Sequence, residues 1–281
     1  MEPSSPSPLI DVSRLAERLG EVTVLDVRWR LGGPPGEQEH AAGHVPGAAY
    51  VDLDTALADP PGGRGRHPLP DPARLQEALR AAGVREDRPV VVYDDWQGRA
   101  AARCWWLLRW AGHRDTSVLD GGWGAWVAAG LEVATGPVVA EPGDVVVRPG
   151  AMPTVTADEL PGVVAAGVVL DARDPGRYAG ETEPVDPVAG HVPGARNVPT
   201  GANLAEDGRF LAPDALAEVY AAARERPTAV YCGSGITAAH DVLALEVAGM
   251  PGAALYPGSW SEWVTDPTRA VATGREPGGS A

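Results

Sequence analysis

Cys232 is the residue on which chemistry most readily centres. It follows the short apolar run Thr228-Ala229-Val230-Tyr231 and precedes Gly233-Ser234-Gly235-Ile236-Thr237, after which Ala238 to Gly249 reads as a helix. Two glycines in this turn let the backbone curl tightly, so successive N–H groups can face one centre. The following helix directs the positive end of its dipole there. A sulfur at that centre is expected as its anion, the nucleophilic form, with the amides of Gly233, Ser234, Gly235, Ile236 and Thr237 as donors. A second sulfur bonded to the first would be held by the same donors. The other cysteine differs: Cys104 lies in the apolar helical stretch Arg103-Cys104-Trp105-Trp106-Leu107-Leu108 and reads as core.

The elements that must position Cys232 occur twice. Val24-Leu25-Asp26-Val27-Arg28 matches Val169-Leu170-Asp171-Ala172-Arg173, and Gly43-His44-Val45-Pro46-Gly47-Ala48 matches Gly190-His191-Val192-Pro193-Gly194-Ala195. Val91-Val92-Tyr93 matches Ala229-Val230-Tyr231, and Trp123 and Trp126 match Trp260 and Trp263. So long a period means duplicated domains and not a solenoid. The first half carries about nine extra residues between its motif histidine and its strand tyrosine, a stretch that holds Asp54-Thr55 through His67-Pro68-Leu69-Pro70. It also has Asp94 where the second half has Cys232, so the first copy is expected to be catalytically silent.

Short β-rich runs alternate with helical stretches in both halves. Val22 to Val27, Pro89 to Tyr93, Gly167 to Asp171 and Thr228 to Tyr231 read as buried strands. Pro72 to Gly83, Ala100 to Gly112, Pro213 to Arg224 and Thr237 to Gly249 read as helices. This alternation predicts an α/β fold of two tandem domains, each a parallel β-sheet flanked by helices on both faces. The domains are expected at 9–136 and 156–275, joined by a Pro/Gly-rich linker over 137–155. In such sheets ligands sit beyond the carboxyl ends of the strands, which is where Cys232 falls.

Composition excludes several functions. A net charge of −15 is wrong for phosphate backbones and for anionic membrane surfaces. All 23 basic residues are arginine, which removes P-loop nucleotide sites and Schiff-base chemistry, both of which need a lysine. No window is long and apolar enough to span a membrane, and Met1 to Pro8 lacks the regions of a signal peptide. With two cysteines and no disulfide framework, a cytoplasmic location is expected. Gly274 to Ala281 is expected to fray.

Three motifs together carry a resemblance. They are Cys232-Gly233-Ser234-Gly235-Ile236-Thr237-Ala238 after a strand, the paired Gly-His-Val-Pro-Gly-Ala segments, and Tyr256-Pro257-Gly258-Ser259-Trp260-Ser261-Glu262-Trp263. In these the chain resembles the two-domain rhodanese family of thiosulfate and 3-mercaptopyruvate sulfurtransferases, from about Leu9 to Val271. The resemblance implies two rhodanese-like domains and a persulfide on Cys232. Sulfur would be taken from a small donor, thiosulfate or 3-mercaptopyruvate, and passed to cyanide or a thiol, with thioredoxin or a sulfur-carrier protein among the acceptors. No cofactor and no metal are implied.

Arg177 matches the family's substrate-anion arginine, and a guanidinium fork suits a carboxylate or sulfonate head. Gly233-Ser234 is similar to the loop of the mercaptopyruvate enzymes, in which a serine is proposed to act with an Asp and a His from the first domain. Those positions are Ser234, Asp54 and His67 here, a Ser–His–Asp proton relay. The thiosulfate enzymes typically place two basic residues where Gly233 and Ser234 stand. The chain departs from the family at Asp186, where mercaptopyruvate enzymes often have a second arginine, and at Pro257, where an Asp is usual.

The remaining chemistry-bearing residues read as structural. His44 and His191 are expected to order turns, and His40, His113 and His240 show no ligand spacing. Trp105, Trp106 and Trp110 read as packing, and Trp260 and Trp263 as braces of the final turn. A cysteine phosphatase would need an arginine six residues beyond the cysteine, where Ala238 stands. A non-catalytic sulfur-carrier or protein-interaction module is the other alternative, and the retained Cys232 loop argues against it.

Overall fold

The computed structural model describes residues 7–278, which divide into two compact units. The first is built of residues through Asp59, Pro70–Ala151 and Glu206–Arg209; the second, of Pro60–Leu69, Met152–Ala205 and Phe210 onward. The segment Pro60–Leu69, expected within the first domain, therefore folds with the second unit. Gly65 explains the docking: at φ +96° its bare Cα faces the Gly258 carbonyl, and a Cβ there would sit 2.6 Å from that oxygen. Arg66 N–H adds a hydrogen bond of 3.1 Å to Ser261 Oγ.

In the first unit the elements run β1 (Leu9–Ile10), α1 (Val12–Arg18), β2 (Thr23–Asp26), α2 (Gly36–Ala42), β3 (Ala49–Tyr50), α3 (Leu53–Ala56), α4 (Pro72–Ala81), β4 (Val90–Tyr93), α5 (Arg99–Trp110), β5 (Thr116–Leu119) and α6 (Gly122–Ala128). All strand pairs are parallel, in the order β1-β5-β4-β2-β3. One face packs Val24, Val91, Tyr93 and Leu119 with Leu15 of α1 and Trp126 of α6. The helix α5 lies against β4 and β5, and ten of its twelve residues are buried, among them Cys104, Trp105 and Trp106. Burial pushes the Cys104 thiol up to about 12, as expected of a core cysteine.

The second unit runs α7 (Leu160–Ala166), β6 (Val168–Asp171), α8 (Pro175–Ala179), β7 (Arg196–Asn197), a 3-10 turn at Thr200–Asn203, α9 (Pro213–Val219), a 3-10 turn at Ala221–Ala223, β8 (Thr228–Tyr231), α10 (Thr237–Val247), β9 (Ala254–Leu255) and α11 (Ser259–Trp263). Its parallel sheet is ordered β7-β6-β8-β9, and Thr154 adds a parallel bridge to Leu255 on the outer side of β9. That bridge stands where β1 stands in the first unit, so the two topologies correspond strand for strand. The expected helix Pro213 to Arg224 stops at Val219, where Tyr220 turns inward and its hydroxyl donates to buried Asn203 Oδ1 at 2.7 Å.

The paired Gly-His-Val-Pro-Gly-Ala segments have one structural task in both units. The carbonyls of Gly43 and Gly190 accept hydrogen bonds from the buried guanidiniums of Arg28 (2.6 Å) and Arg173 (2.5 Å). Each arginine pairs with the strand-end carboxylate two residues earlier, Asp26 or Asp171, and lies over a tryptophan ring, Trp123 or Trp260. The motif histidines bond backbone carbonyls, His44 to His40 and His191 to Tyr178.

The expected linker is not a free tether. Gly143, Val145, Arg148 and Ala151 donate to backbone carbonyls of the first unit, and Thr154 joins the second unit's sheet. Near the end of the chain, Gly274 N–H donates to Ala179 and the Pro277 carbonyl accepts from Gly194, so residues 274–277 are tied down. The rest of the expected frayed tail, residues 279–281, lies outside the described residues.

Candidate active site

Cys232 immediately follows β8, whose residues Ala229, Val230 and Tyr231 are buried on both faces of the sheet. Its side chain is nearly enclosed, at 1% exposure, yet its sulfur is not simply packed under hydrocarbon. The N–H groups of Ser234 and Gly235 donate to Sγ at 3.4 and 3.1 Å. Gly235 makes this possible at φ +82°, pressed so closely on Pro257 that a Cβ would meet its carbonyl oxygen at 2.4 Å. The turn before α11 clamps the loop from the other side. Cys232 N–H donates to Ser259 Oγ (3.1 Å), and the carbonyls of Cys232 and Gly233 accept from Trp260 (2.9 Å) and Ser261 (3.0 Å). Ile236 and Thr237, also expected among the donors to sulfur, stand at the N-cap and first residue of α10.

Gly233 has a different part. Its bare Cα faces two guanidiniums, and a Cβ there would lie 2.9 Å from Arg66 Nη2 and 3.4 Å from Arg177 Nη1. Arg177, on α8, is held from behind by carboxylates. Its Nε and Nη2 donate to Glu183 at 3.0 and 2.7 Å, and Nη2 also reaches Asp186 Oδ2 at 2.9 Å. Asp186 pairs with Arg66 Nη1 through its other oxygen, so one carboxylate joins the two arginines. Glu183 also bonds Arg173 Nη1 at 3.2 Å. Burial alone pushes the Glu183 carboxyl up, but the Arg177 and backbone hydrogen bonds and the Arg177 charge outweigh it and hold the group below its ordinary range.

Ser234 Oγ and His67 Nδ1 are 2.8 Å apart, a hydrogen bond across 167 residues of sequence made within the second unit. Asp54 belongs to α3 of the first unit, where its Oδ2 accepts from Trp29 Nε1 at 2.9 Å.

The first unit's matching loop shows what this backbone does by itself. Asp94 is fully buried, and its carboxylate accepts from the N–H groups of Trp96 (2.9 Å), Gly98 (2.8 Å) and Ala101 (2.9 Å). Its carbonyl accepts from Trp123, as that of Cys232 does from Trp260. Burial pushes the Asp94 carboxyl up while the three amides pull it down. The strand–loop–helix is thus an amide nest, filled in one unit by a carboxylate and in the other by a sulfur.

The rhodanese-like domain family matches this chain twice, over residues 11–129 and 156–266. The chain belongs to the rhodanese family. A Pseudomonas aeruginosa protein named "Probable 3-mercaptopyruvate sulfurtransferase" is 47% identical over 96% of this chain and 99% of its own length. The thiosulfate sulfurtransferase of Gallus gallus is 32% identical, covering 88% of each chain. The crystal structure of a 3-mercaptopyruvate sulfurtransferase from Escherichia coli superposes with a TM-score of 0.80 at 31% identity, covering 92% of this chain and all of the other. This rhodanese is accordingly a sulfurtransferase, with two α/β domains of parallel sheets flanked by helices.

Four residues around the Cys232 loop escaped the sequence reading as participants in the candidate site: Arg66, Glu183, Ser259 and, as a partner of arginine, Asp186. Ser259 carried the clearest signal, since a serine between glycine and tryptophan in a turn is a natural acceptor for a loop N–H. Arg66 gave none, because it lies far from Arg177 in sequence and the docking of Pro60–Leu69 is a tertiary event.

Proposed function

We propose that Cys232 is the nucleophile and carries sulfur as a persulfide, with 3-mercaptopyruvate as the better donor. The observation that carries this reading is the pair of amide donors, Ser234 and Gly235, aimed at Cys232 Sγ. Such donors stabilise an anionic sulfur before attack, and the same amides can serve the terminal sulfur once it is attached. The thiolate attacks the thiol sulfur of 3-mercaptopyruvate. A new S–S bond forms, the C–S bond breaks, and its electron pair leaves on the enolate of pyruvate. The proton of the donor thiol ends on that enolate carbon, leaving the persulfide anion and pyruvate. Cyanide or a thiol then takes the outer sulfur and returns the thiolate.

The Ser234–His67 hydrogen bond supports a proton path for this departure, with Asp54 as the proposed third member. Arg177 anchors the donor's carboxylate. Thiosulfate brings two negative charges, and Gly233 and Ser234 offer no side-chain cation to meet them. A small-thiol or thioredoxin-like acceptor in the cytoplasm fits two free cysteines, and among the described residues no helix is long and apolar enough to cross a membrane.

Steady-state rates with each donor in turn, at fixed cyanide, test the donor assignment. The expected result is a kcat/KM for 3-mercaptopyruvate at least about tenfold above that for thiosulfate. A preference for thiosulfate would reject it.

A further inference from the structure

We infer that a cavity at the amino end of the second unit's sheet receives an extended segment of a partner protein, in which an acidic residue, β-branched residues and a basic residue follow one another. The duplication shows what such a groove takes. In the first unit, residues 143–151 cross the end of α4, the loop before β4 and the C-terminus of α5. The N–H groups of Gly143, Val145 and Val147 donate to the Arg80 carbonyl (2.7 Å), the Val84 carbonyl (3.2 Å) and Gln76 Oε1 (3.1 Å). Every second residue donates, the period of an extended chain. Arg148 and Ala151 then donate to the carbonyls of Ala111 and Trp110, at 2.9 and 3.1 Å. Charges align as well: Asp144 lies 3.6 Å from Arg85 Nη2, and Arg148 pairs with Glu86 at 2.7 Å.

The second unit repeats the groove. Leu75 and Leu216 are the matching buried residues of α4 and α9, so Ala217 stands where Gln76 stands. The turns that end α5 and α10 share one pattern, in which Ala111, Gly112 and His113 donate to Leu107, Arg109 and Leu108, and Ala248, Gly249 and Met250 to Ala244, Glu246 and Leu245. Ala248 therefore stands for Ala111, and Val247 for Trp110. Buried Ala223 takes the place of Val84 ahead of the next strand. Ala217, Ala223 and Ala248 line a cavity of about 530 Å³, within the roughly 300–1,000 Å³ of ligand sites. Among the described residues, no N–H donates to the carbonyls of Val247 and Ala248, the positions whose counterparts hold residues 148–151 in the first unit. Carbonyls that end a helix need partners from elsewhere.

The rim sets the partner's chemistry. Arg224-Glu225-Arg226 replaces Arg85-Glu86-Asp87-Arg88 before the strand, and Arg224 and Glu225 are exposed. An acid facing Arg224 and a base facing Glu225 repeat the pairs that Asp144 and Arg148 make. Main-chain hydrogen bonds supply affinity in such recognition, and the small apolar walls select the side chains between the charges. Thr228 begins β8 at this end, whereas Cys232 follows its other end, so a partner held here leaves the cysteine loop uncovered.

The test uses a labelled peptide with the sequence of Glu141 to Gly150, added to the full chain and followed by fluorescence anisotropy. The expected result is saturable 1:1 binding with a Kd of about 100 μM. Ala217→Gln, which installs the acceptor that Gln76 supplies in the first unit, is expected to tighten binding about threefold. Arg224→Glu is expected to weaken it about threefold, and a peptide carrying Asp144→Arg to recover that loss. Both variants are expected to keep wild-type sulfur loading. No binding at millimolar peptide overturns the proposal. So does binding that neither variant alters, because the peptide would then be competing for the first unit's groove. A dimer in sedimentation that the peptide dissociates would assign the groove to a second copy of this chain and overturn the partner reading.

Discussion

Glu183 touches two arginines of different kind, Arg173 in the buried Asp171 pair and Arg177 beside Gly233. Its carboxyl is held below the ordinary value of 4.5, so the ionised form is the one the fold favours. A depressed value means that the stabilisation is complete above the unfolded value and is lost as pH falls through the folded one. Glu183→Gln is therefore expected to cost about 2 kcal/mol at neutral pH, with the gap to wild type closing as the pH falls below 4.5. Urea midpoints measured from pH 7 to pH 3 read this directly, and a gap that stays constant over that range would contradict it. At this scale the settings of the proposed residues Cys232, Ser234 and Arg177 were legible, because a glycine-flanked cysteine after a strand and an arginine in a known motif are local patterns. Glu183 and Arg66 were not, since only folding sets a carboxylate behind one arginine and brings the other from Pro60–Leu69.

The strand–loop–helix element was legible in outline from its apolar run, its glycines and its helical continuation. What the sequence did not disclose was how many amides reach the central atom. Among the described residues, the N–H groups of Ser234 and Gly235 reach Cys232 Sγ, whereas those of Trp96, Gly98 and Ala101 reach the Asp94 carboxylate, whose two oxygens lie farther out along the side chain. The comparison makes Asp94 more than a missing cysteine. Its carboxylate satisfies three N–H groups of the loop around it, and unsatisfied buried donors are costly. Asp94→Ala is expected to lower stability by about 3 kcal/mol while the folded fraction still loads sulfur on Cys232. Denaturant midpoints at constant slope check the first part, and sulfur uptake per folded molecule checks the second. A neutral effect on the midpoint would mean that water replaces the carboxylate without loss.

Over the whole molecule, duplication is the organising fact, and it was the easiest to read. The matched motifs predict two equal sheets, and the strand orders β1-β5-β4-β2-β3 and β7-β6-β8-β9 agree once the Thr154 bridge is counted. Domain edges were harder. Composition marks Pro- and Gly-rich stretches, but the linker proved to be hydrogen-bonded along the first unit and Pro60–Leu69 to fold with the second. Contiguity in sequence is a poor guide where a loop finds its acceptors in another part of the chain. The second cysteine supplies an internal control for the central claim. The two cysteines sit in opposite settings, Cys104 in α5 with its thiol pushed up to about 12 by burial, and Cys232 before two donating amides. The most direct measurement is the mass of the intact protein and of its cysteine peptides after incubation with 3-mercaptopyruvate alone, then after addition of cyanide. The expected result is one added sulfur atom on the peptide bearing Cys232, lost on adding cyanide and absent throughout in Cys232→Ser. Sulfur found on the Cys104 peptide, or uptake that survives Cys232→Ser, would contradict the account.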